Sequence, residues 1–324
     1  MKRITVLAAL ICAILALTTG CSTTFYKATQ SQNMMGTTVT ITLVDTNANK
    51  ARAAIITAFD RMKKIETTMS IYDNKSEITK LNRKKKLTDA SEDLLTVIEE
   101  SLKYSKMSDG AFDITVQPIL DLFTKTYTEL NRPPTEKEIE TQRNRIDYRQ
   151  VQVENKTITI GNMTIITLGG IAKGYAIDKA IESLQERGIS RALVDAGGNL
   201  RAIGKKTAEE PWIVALQNPR NNSDYITMIK LEDESVATSG DYVRYFDKNK
   251  TAHHIINPKT GTSATDLISA TVITKKAMEA DALSTTVFVL GPEKGLKLIE
   301  SMNWTSALLI TRDRKIIRSS RFKY

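Results

Sequence analysis

The chain is short of the residues that usually betray a function. Its 324 residues include two cysteines, two histidines, two tryptophans and seven prolines. Cys12 lies in an apolar N-terminal run, which leaves Cys21 alone once that run is removed. A single cysteine in an exported chain cannot form an internal disulfide, and it gives no basis for iron–sulfur assembly chemistry. Aromatic residues make up 6% of the chain. There is no RNA- or DNA-binding module, so the formal charge of +9 does not signal nucleic acid. Its basic residues are spread out, with one short run, RKKK (83–86). That distribution suits solubility and attraction to an anionic lipid surface or anionic cofactor. The chain has no Walker loop and no GxGxxG fingerprint. It also lacks internal repeats, low-complexity tracts and any Pro/Gly linker that would split it. With 41% hydrophobic and 26% charged residues, one folded catalytic unit is expected.

One hydrophobic run is present, at the N-terminus. Lys2 and Arg3 precede ITVLAALICAILALTTG, which ends at Cys21. A basic start, an apolar core and small residues before the boundary describe a secretory signal over 1–20. The run is too short for a permanent span. TTGC resembles the end of a bacterial lipoprotein signal, with Thr18 at a position usually held by Leu. Lipid on Cys21 would anchor the chain; ordinary cleavage would leave a free thiol. Residues 21–34 are expected to form a polar tether and 35–324 the catalytic domain, with a helical insertion near 80–145.

MGTTVTITLVD (35–45) alternates as a strand does. Helical spacing runs through 47–68 and 92–107, and Ala111 to Phe123 enters another helix. Thr135 with Glu138 three residues on predicts a capped helix. Residues 151–168 give two strands across turns at Asn155 and Gly161–Asn162. Strands are expected at 212–217, 225–231, 241–246, 253–257 and 268–274, then helices at 276–289 and 292–301 and a closing strand pair. Hairpin-like runs outnumber βαβ alternation, so the fold class is α+β with a largely antiparallel sheet and flanking helices.

The most informative stretch is TLGGIAKGYAIDKAIESLQERG (167–188). A β-like run, MTIITL (163–168), enters a Gly-Gly turn and then an amphipathic helix. Glycines let the backbone pass close to a ligand, and a helix start offers free N–H groups to phosphate. Lys173 adds positive charge. The same turn is also ordinary punctuation between strand and helix. Asp281 and Thr285 are one helical turn apart in EADALSTTVFVLG (279–291) and form a hard-oxygen pair of the kind Mg²⁺ takes. His253 and His254 are neighbours in HHIINPKTG (253–261). In a strand they point to opposite faces, which leaves one for the pocket, taken to be His254 as a proton acceptor.

These motifs keep company with MGTTVTI (35–41), TTMSIYDNKSEI (67–78), DGAFDITV (109–116), DAGGN (195–199) and ATSGDY (237–242). In that order they resemble the ApbE-type FAD:protein FMN transferases, exported flavin-transfer lipoproteins, from about Met35 to the C-terminus. The resemblance implies transfer of FMN from FAD to a Ser or Thr hydroxyl of an exported or membrane redox protein, with release of AMP. The implied acceptors are flavin-carrying subunits of membrane redox complexes. Mg²⁺ would be held by Asp281, Thr285 and Ser284 with the Gly170 carbonyl. FAD would contact Met35, Tyr72, Ala111, Phe112, Asp113, Thr167, Lys173, His254 and Ile255. The chain departs from the family pattern in having Thr167 where an acid precedes Leu-Gly-Gly, and Asn257 where HIIDP is usual. Two other readings stay open: FAD hydrolysis to FMN and AMP, and a flavin-binding lipoprotein that transfers nothing. Retained Asp281 and Thr285 favour the enzyme.

Overall fold

The computed structural model describes residues 24–324. Its centre is an eight-stranded sheet: β1 (Tyr26–Met34), β2 (Thr37–Asp45), β3 (Ala192–Ala196), β4 (Asn199–Ile203), β5 (Ser235–Gly240), β6 (Leu267–Thr274), β7 (Ser306–Thr311) and β8 (Ile316–Arg318). Strand order in space equals strand order in the chain. Every neighbouring pair is antiparallel. The fold is α+β, as the hairpin-like runs imply.

Among the described residues seven α-helices accompany the sheet: α1 (Ala48–Met69), α2 (Glu77–Lys84), α3 (Glu92–Met107), α4 (Gln117–Thr124), α5 (Glu136–Arg143), α6 (Ala172–Glu186) and α7 (Ala277–Glu300). Asn47 caps α1 by accepting from the Asn49 and Lys50 N–H groups. Thr135 and Glu138 form the full capping box of α5. The apolar face of α1 (Ile55, Phe59, Met62, Ile65) and those of α6 and α7 share one core with Val39, Ile41 and Leu43 of β2. A second core covers the opposite sheet face. There a hairpin, Trp212–Asn218 with Asn221–Leu231, packs Trp212, Leu216 and Ile229 against Ile273, Leu308 and Ile310. Central strands buried on both faces read as continuous apolar runs.

Three expectations need correction. Residues 26–34 are strand β1, not tether. It is an edge strand with eight of its nine residues outside the core, so a polar sequence satisfies it and no apolar alternation marks it. Segments 241–246 and 253–257 are not regular strands. They are joined by the single Tyr245–His253 bridge, and only Ile256–Asn257 pairs, with Thr262–Ser263. Residues 163–168 make no ladder. Asn82 brackets Ile166 from both sides, and Thr167 N–H donates to the Ile114 carbonyl, so a side chain does the work of a partner strand. Residues 1–21, with the signal and Cys21, lie outside the described region. No helix among the described residues is long and apolar enough to cross a membrane.

Candidate active site

The starts of α6 and α7 touch, and glycine makes this possible. A Cβ at Gly174 would sit 2.2 Å from the Ala277 carbonyl oxygen and 2.7 Å from Met278 Cα. Asp178, one turn further along α6, caps α7 by accepting from Ala277 N–H at 2.9 Å and Met278 N–H at 3.0 Å. α7 has no cap of its own. Arg201 holds the same carboxylate at 2.6 Å. Gly174→Ala should therefore destabilise the protein by about 3 kcal/mol, the upper end for overpacking against fixed backbone. Gly169→Ala, whose Cβ would meet only Thr167 Oγ1 at 3.7 Å, should melt within a degree or two of wild type. Parallel urea melts check the pair; equal stability would show that the helices can separate freely.

This contact places Asp281. Its Oδ2 accepts from Gly174 N–H at 2.9 Å and its Oδ1 from Asn199 Nδ2 at 2.7 Å. Burial raises its pKa, while the Lys173 charge, the Gly174 amide and Asn199 pull it back. One turn on, Thr285 Oγ1 lies 3.3 Å from where a Gly170 Cβ would be, and Phe112 Cε2 lies 3.2 Å from the same point. A Cβ at Gly170 would press on both side chains by a few tenths of an ångström. Ser284 and Thr285 both reach Ser239 at the end of β5. Lys173, at the second position of α6, acts electrostatically on Asp281, Asp195 and His254 together.

The two histidines differ. His253 is fully buried. Its Nε2 donates to the Ala264 carbonyl at 2.9 Å, its Nδ1 accepts from Ile255 N–H at 3.3 Å, and its ring meets Phe288 edge-on. Burial holds its pKa down, and both nitrogens are spoken for. His253→Ala should cost about 3 kcal/mol, because the Ala264 carbonyl is left buried without a donor; denaturant melts measure it, and an unchanged midpoint would contradict this. His254 is half-buried. Its Nδ1 donates to the Arg244 carbonyl at 2.9 Å, which fixes the tautomer and leaves Nε2 with a lone pair. Burial, with the charges of Arg244, His253 and Lys173, lowers its pKa to about 4.

The remaining predicted residues fall into two groups. Ala111, Phe112 and Asp113 share one buried loop. Asp113 accepts from Thr115 N–H and Oγ1 and from Tyr148 N–H, so its carboxylate organises the loop beside Phe112. Ile255 is core. Met35 (φ 52°) and Gly36 (φ 73°) form the two-residue β1–β2 turn, a type I′ geometry that favours Gly at its second position. Met35 N–H donates to Glu66 near the end of α1, and Tyr72 follows that helix, 79% exposed. Among the described residues no hydrogen bond links Met35 or Tyr72 to the Asp281 group. Asn257 Oδ1 accepts from Lys259 N–H at 3.0 Å, so the residue in place of the expected acid closes the NPKTG turn. The sequence marks Asn199 only as a polar end of DAGGN and Ser239 only within ATSGDY, and it assigns no role to these or to Asp178.

As a cation site the donor set is coherent. One buried carboxylate stands with the hydroxyls of Ser284 and Thr285, hard oxygens throughout, and its hydrogen-bond partners are neutral. Among the described residues no three His, Cys, Asp or Glu side chains converge. Such a set fits a hard cation that takes few protein ligands.

Comparison with known proteins places this geometry in context. The model of the ApbE family matches residues 35–309. A FAD:protein FMN transferase of Vibrio cholerae is 29% identical over 323 residues, 96% of each chain. One from Haemophilus influenzae is 31% identical over 272 residues, covering 80% of this chain and 79% of that one. Among solved structures, the ApbE protein of Thermotoga maritima superposes with a TM-score of 0.83 at 32% identity, over 92% of this chain and 97% of that one. The flavin transferase ApbE from Vibrio cholerae gives 0.79 at 28% identity, over 92% and 99%.

Proposed function

The chain belongs to the ApbE family, and from that premise we propose that it transfers FMN from FAD to a Ser or Thr hydroxyl of an exported or membrane redox protein, releasing AMP. What supports this reading is that Gly170 packs on Thr285 and the Gly174 N–H bonds Asp281, while Lys173 acts electrostatically on Asp281 and on His254, whose Nε2 keeps its lone pair.

The acceptor oxygen attacks the phosphorus on the FMN side of the FAD pyrophosphate. His254 Nε2 takes its proton. The bond from that phosphorus to the bridging oxygen breaks, and AMP leaves with the electron pair. Lys173 holds phosphate; at the start of α6 the Ala172 and Gly174 N–H groups already donate, to the Leu168 carbonyl and to Asp281. The exposed Tyr72 offers a face to a flat ring and Met35 a soft contact, while the buried Phe112 backs Gly170. Asp281, Ser284, Thr285 and the Gly170 carbonyl would hold Mg²⁺. When bound, the ion neutralises pyrophosphate charge and eases departure of AMP. Thr167 can hydrogen-bond the nucleotide without adding charge.

Incubating the protein with FAD, Mg²⁺ and a candidate acceptor tests the proposal by intact mass. The acceptor should gain one FMN as AMP appears. AMP with an unmodified acceptor would mean hydrolysis, with water in the place of the hydroxyl; no AMP would leave flavin binding alone. We further propose export and a lipid anchor at Cys21. The N-terminal peptide of the membrane fraction should start at a lipid-bearing Cys21, and an unmodified thiol there would exclude the anchor.

A further inference from the structure

Three hydroxyls of the site stand in a row, and their protons can be assigned. Ser284 Oγ lies 2.9 Å from the main-chain carbonyl of Asp281. A carbonyl only accepts, so the single Ser284 proton goes there. Ser239 Oγ is 2.9 Å from Ser284 Oγ, and with the Ser284 proton committed, Ser239 must donate. Thr285 Oγ1 is 3.2 Å from Ser239 Oγ, and with the Ser239 proton committed, Thr285 must donate. This assignment gives every contact one donor. All three protons run toward the Asp281 carbonyl, and the lone pairs of Thr285 remain for the site.

Ser239 is well placed to impose this direction because it is not part of α7. Its neighbours on β5 are pinned to β6, with Ser239 opposite Ala270 and Thr238 Oγ1 2.9 Å from Thr271 Oγ1. Just past the strand, the fully buried Asp241 receives both Nη groups of Arg220, at 2.7 and 2.6 Å, from the tip of the covering hairpin. The strand end is therefore fixed from the far face of the sheet.

We infer that Ser239 is a positioning residue: by taking the Thr285 proton it turns that hydroxyl into a lone-pair donor and biases the site toward a cation over an anion. This rests on the reading that Asp281, Ser284 and Thr285 hold a divalent cation. Without Ser239, Thr285 is free to swing its proton into the site, where it opposes a positive charge.

Mg²⁺ titrations of the full-length protein, followed by calorimetry and by thermal melting, test this apart from turnover. Ser239→Ala should raise the Mg²⁺ concentration for half-maximal response by about tenfold, the usual cost of losing a group that orients a metal ligand. Ser239→Thr, which keeps the hydroxyl, should restore it. Asp281→Asn should remove the response. Wild-type Mg²⁺ dependence in Ser239→Ala, or a Ser239→Thr response as weak as that of Ser239→Ala, would overturn the inference and leave the cation site standing. No Mg²⁺ response in the wild type would overturn both. Should Ser239→Ala melt too low without cation to be read, Ser239→Cys, with its weak donor, serves the same comparison.

Discussion

Asp281→Asn should lower AMP release from FAD by about a thousandfold at limiting Mg²⁺. The side chain keeps its size and an acceptor for Gly174 N–H, so the fold should survive. What it loses is the one carboxylate of the hard-oxygen group, and charge stabilisation by a bound cation is worth several kcal/mol, with each tenfold in rate about 1.4 kcal/mol. A second effect separates chemistry from folding. At a hundredfold excess over its dissociation constant, a ligand stabilises the native state by about 2.7 kcal/mol. Wild-type protein should show this with Mg²⁺ and the variant should not. AMP release by the variant at the wild-type rate would take Asp281 out of the cation site.

His254→Ala should separate flavin binding from flavin transfer. A general base contributes about a hundredfold or more, so transfer measured by acceptor mass should fall by that factor, while FAD affinity measured by fluorescence changes far less. The wild-type pH profile carries a second signature. His254 titrates near 4, below the ordinary value of 6.5. Its neutral, proton-accepting form therefore persists as the pH falls through 6.5 and is lost only around 4. The same sign governs stability. Between 6.5 and 4 the unfolded chain binds the proton and the folded one does not, so acidification through that window costs stability. Transfer that falls away between pH 7 and 6 in proportion to an ordinary imidazole, or a loss in His254→Ala accounted for wholly by lost FAD binding, would leave His254 as a flavin contact only.

The helices were readable because their signals are local. Asn47 and Thr135 cap as their types suggest, and Asp281 and Thr285 sit one turn apart because 3.6-residue periodicity puts them there. Gly291 before Pro292 marks the break inside α7, where two helices were expected. β1 was not readable because an edge strand needs no apolar alternation. The His253–His254 segment was expected as strand; one histidine is buried and the other half-buried, and ring-to-carbonyl bonds with a single main-chain bridge to Tyr245 hold the segment in place of a full ladder. The roles of Asn199 and Asp178 were not readable for another reason. Each acts on a partner far along the chain, Asp281 and the start of α7, and a single sequence carries no trace of such pairings. The site is therefore half legible: its residues stand in motifs, while the long-range bonds by which Asn199, Asp178 and Ser239 aim the others are not written there.

The order of the strands bears on how the protein acquires activity during folding. Most neighbours in the sheet are joined by modest connections, but β2 and β3 pair across residues 46–191. That excursion delivers Phe112, Gly170 and Lys173, whereas Ser239, His254 and Asp281 come from the meander beyond it. Closing so long a loop costs entropy that short hairpins avoid, and long-range pairings slow folding. The two sets of residues are thus separated by the longest connection between neighbouring strands of the sheet. The proposed transfer draws on both sets of residues, so turnover would report on the closure of that loop as well as on the site.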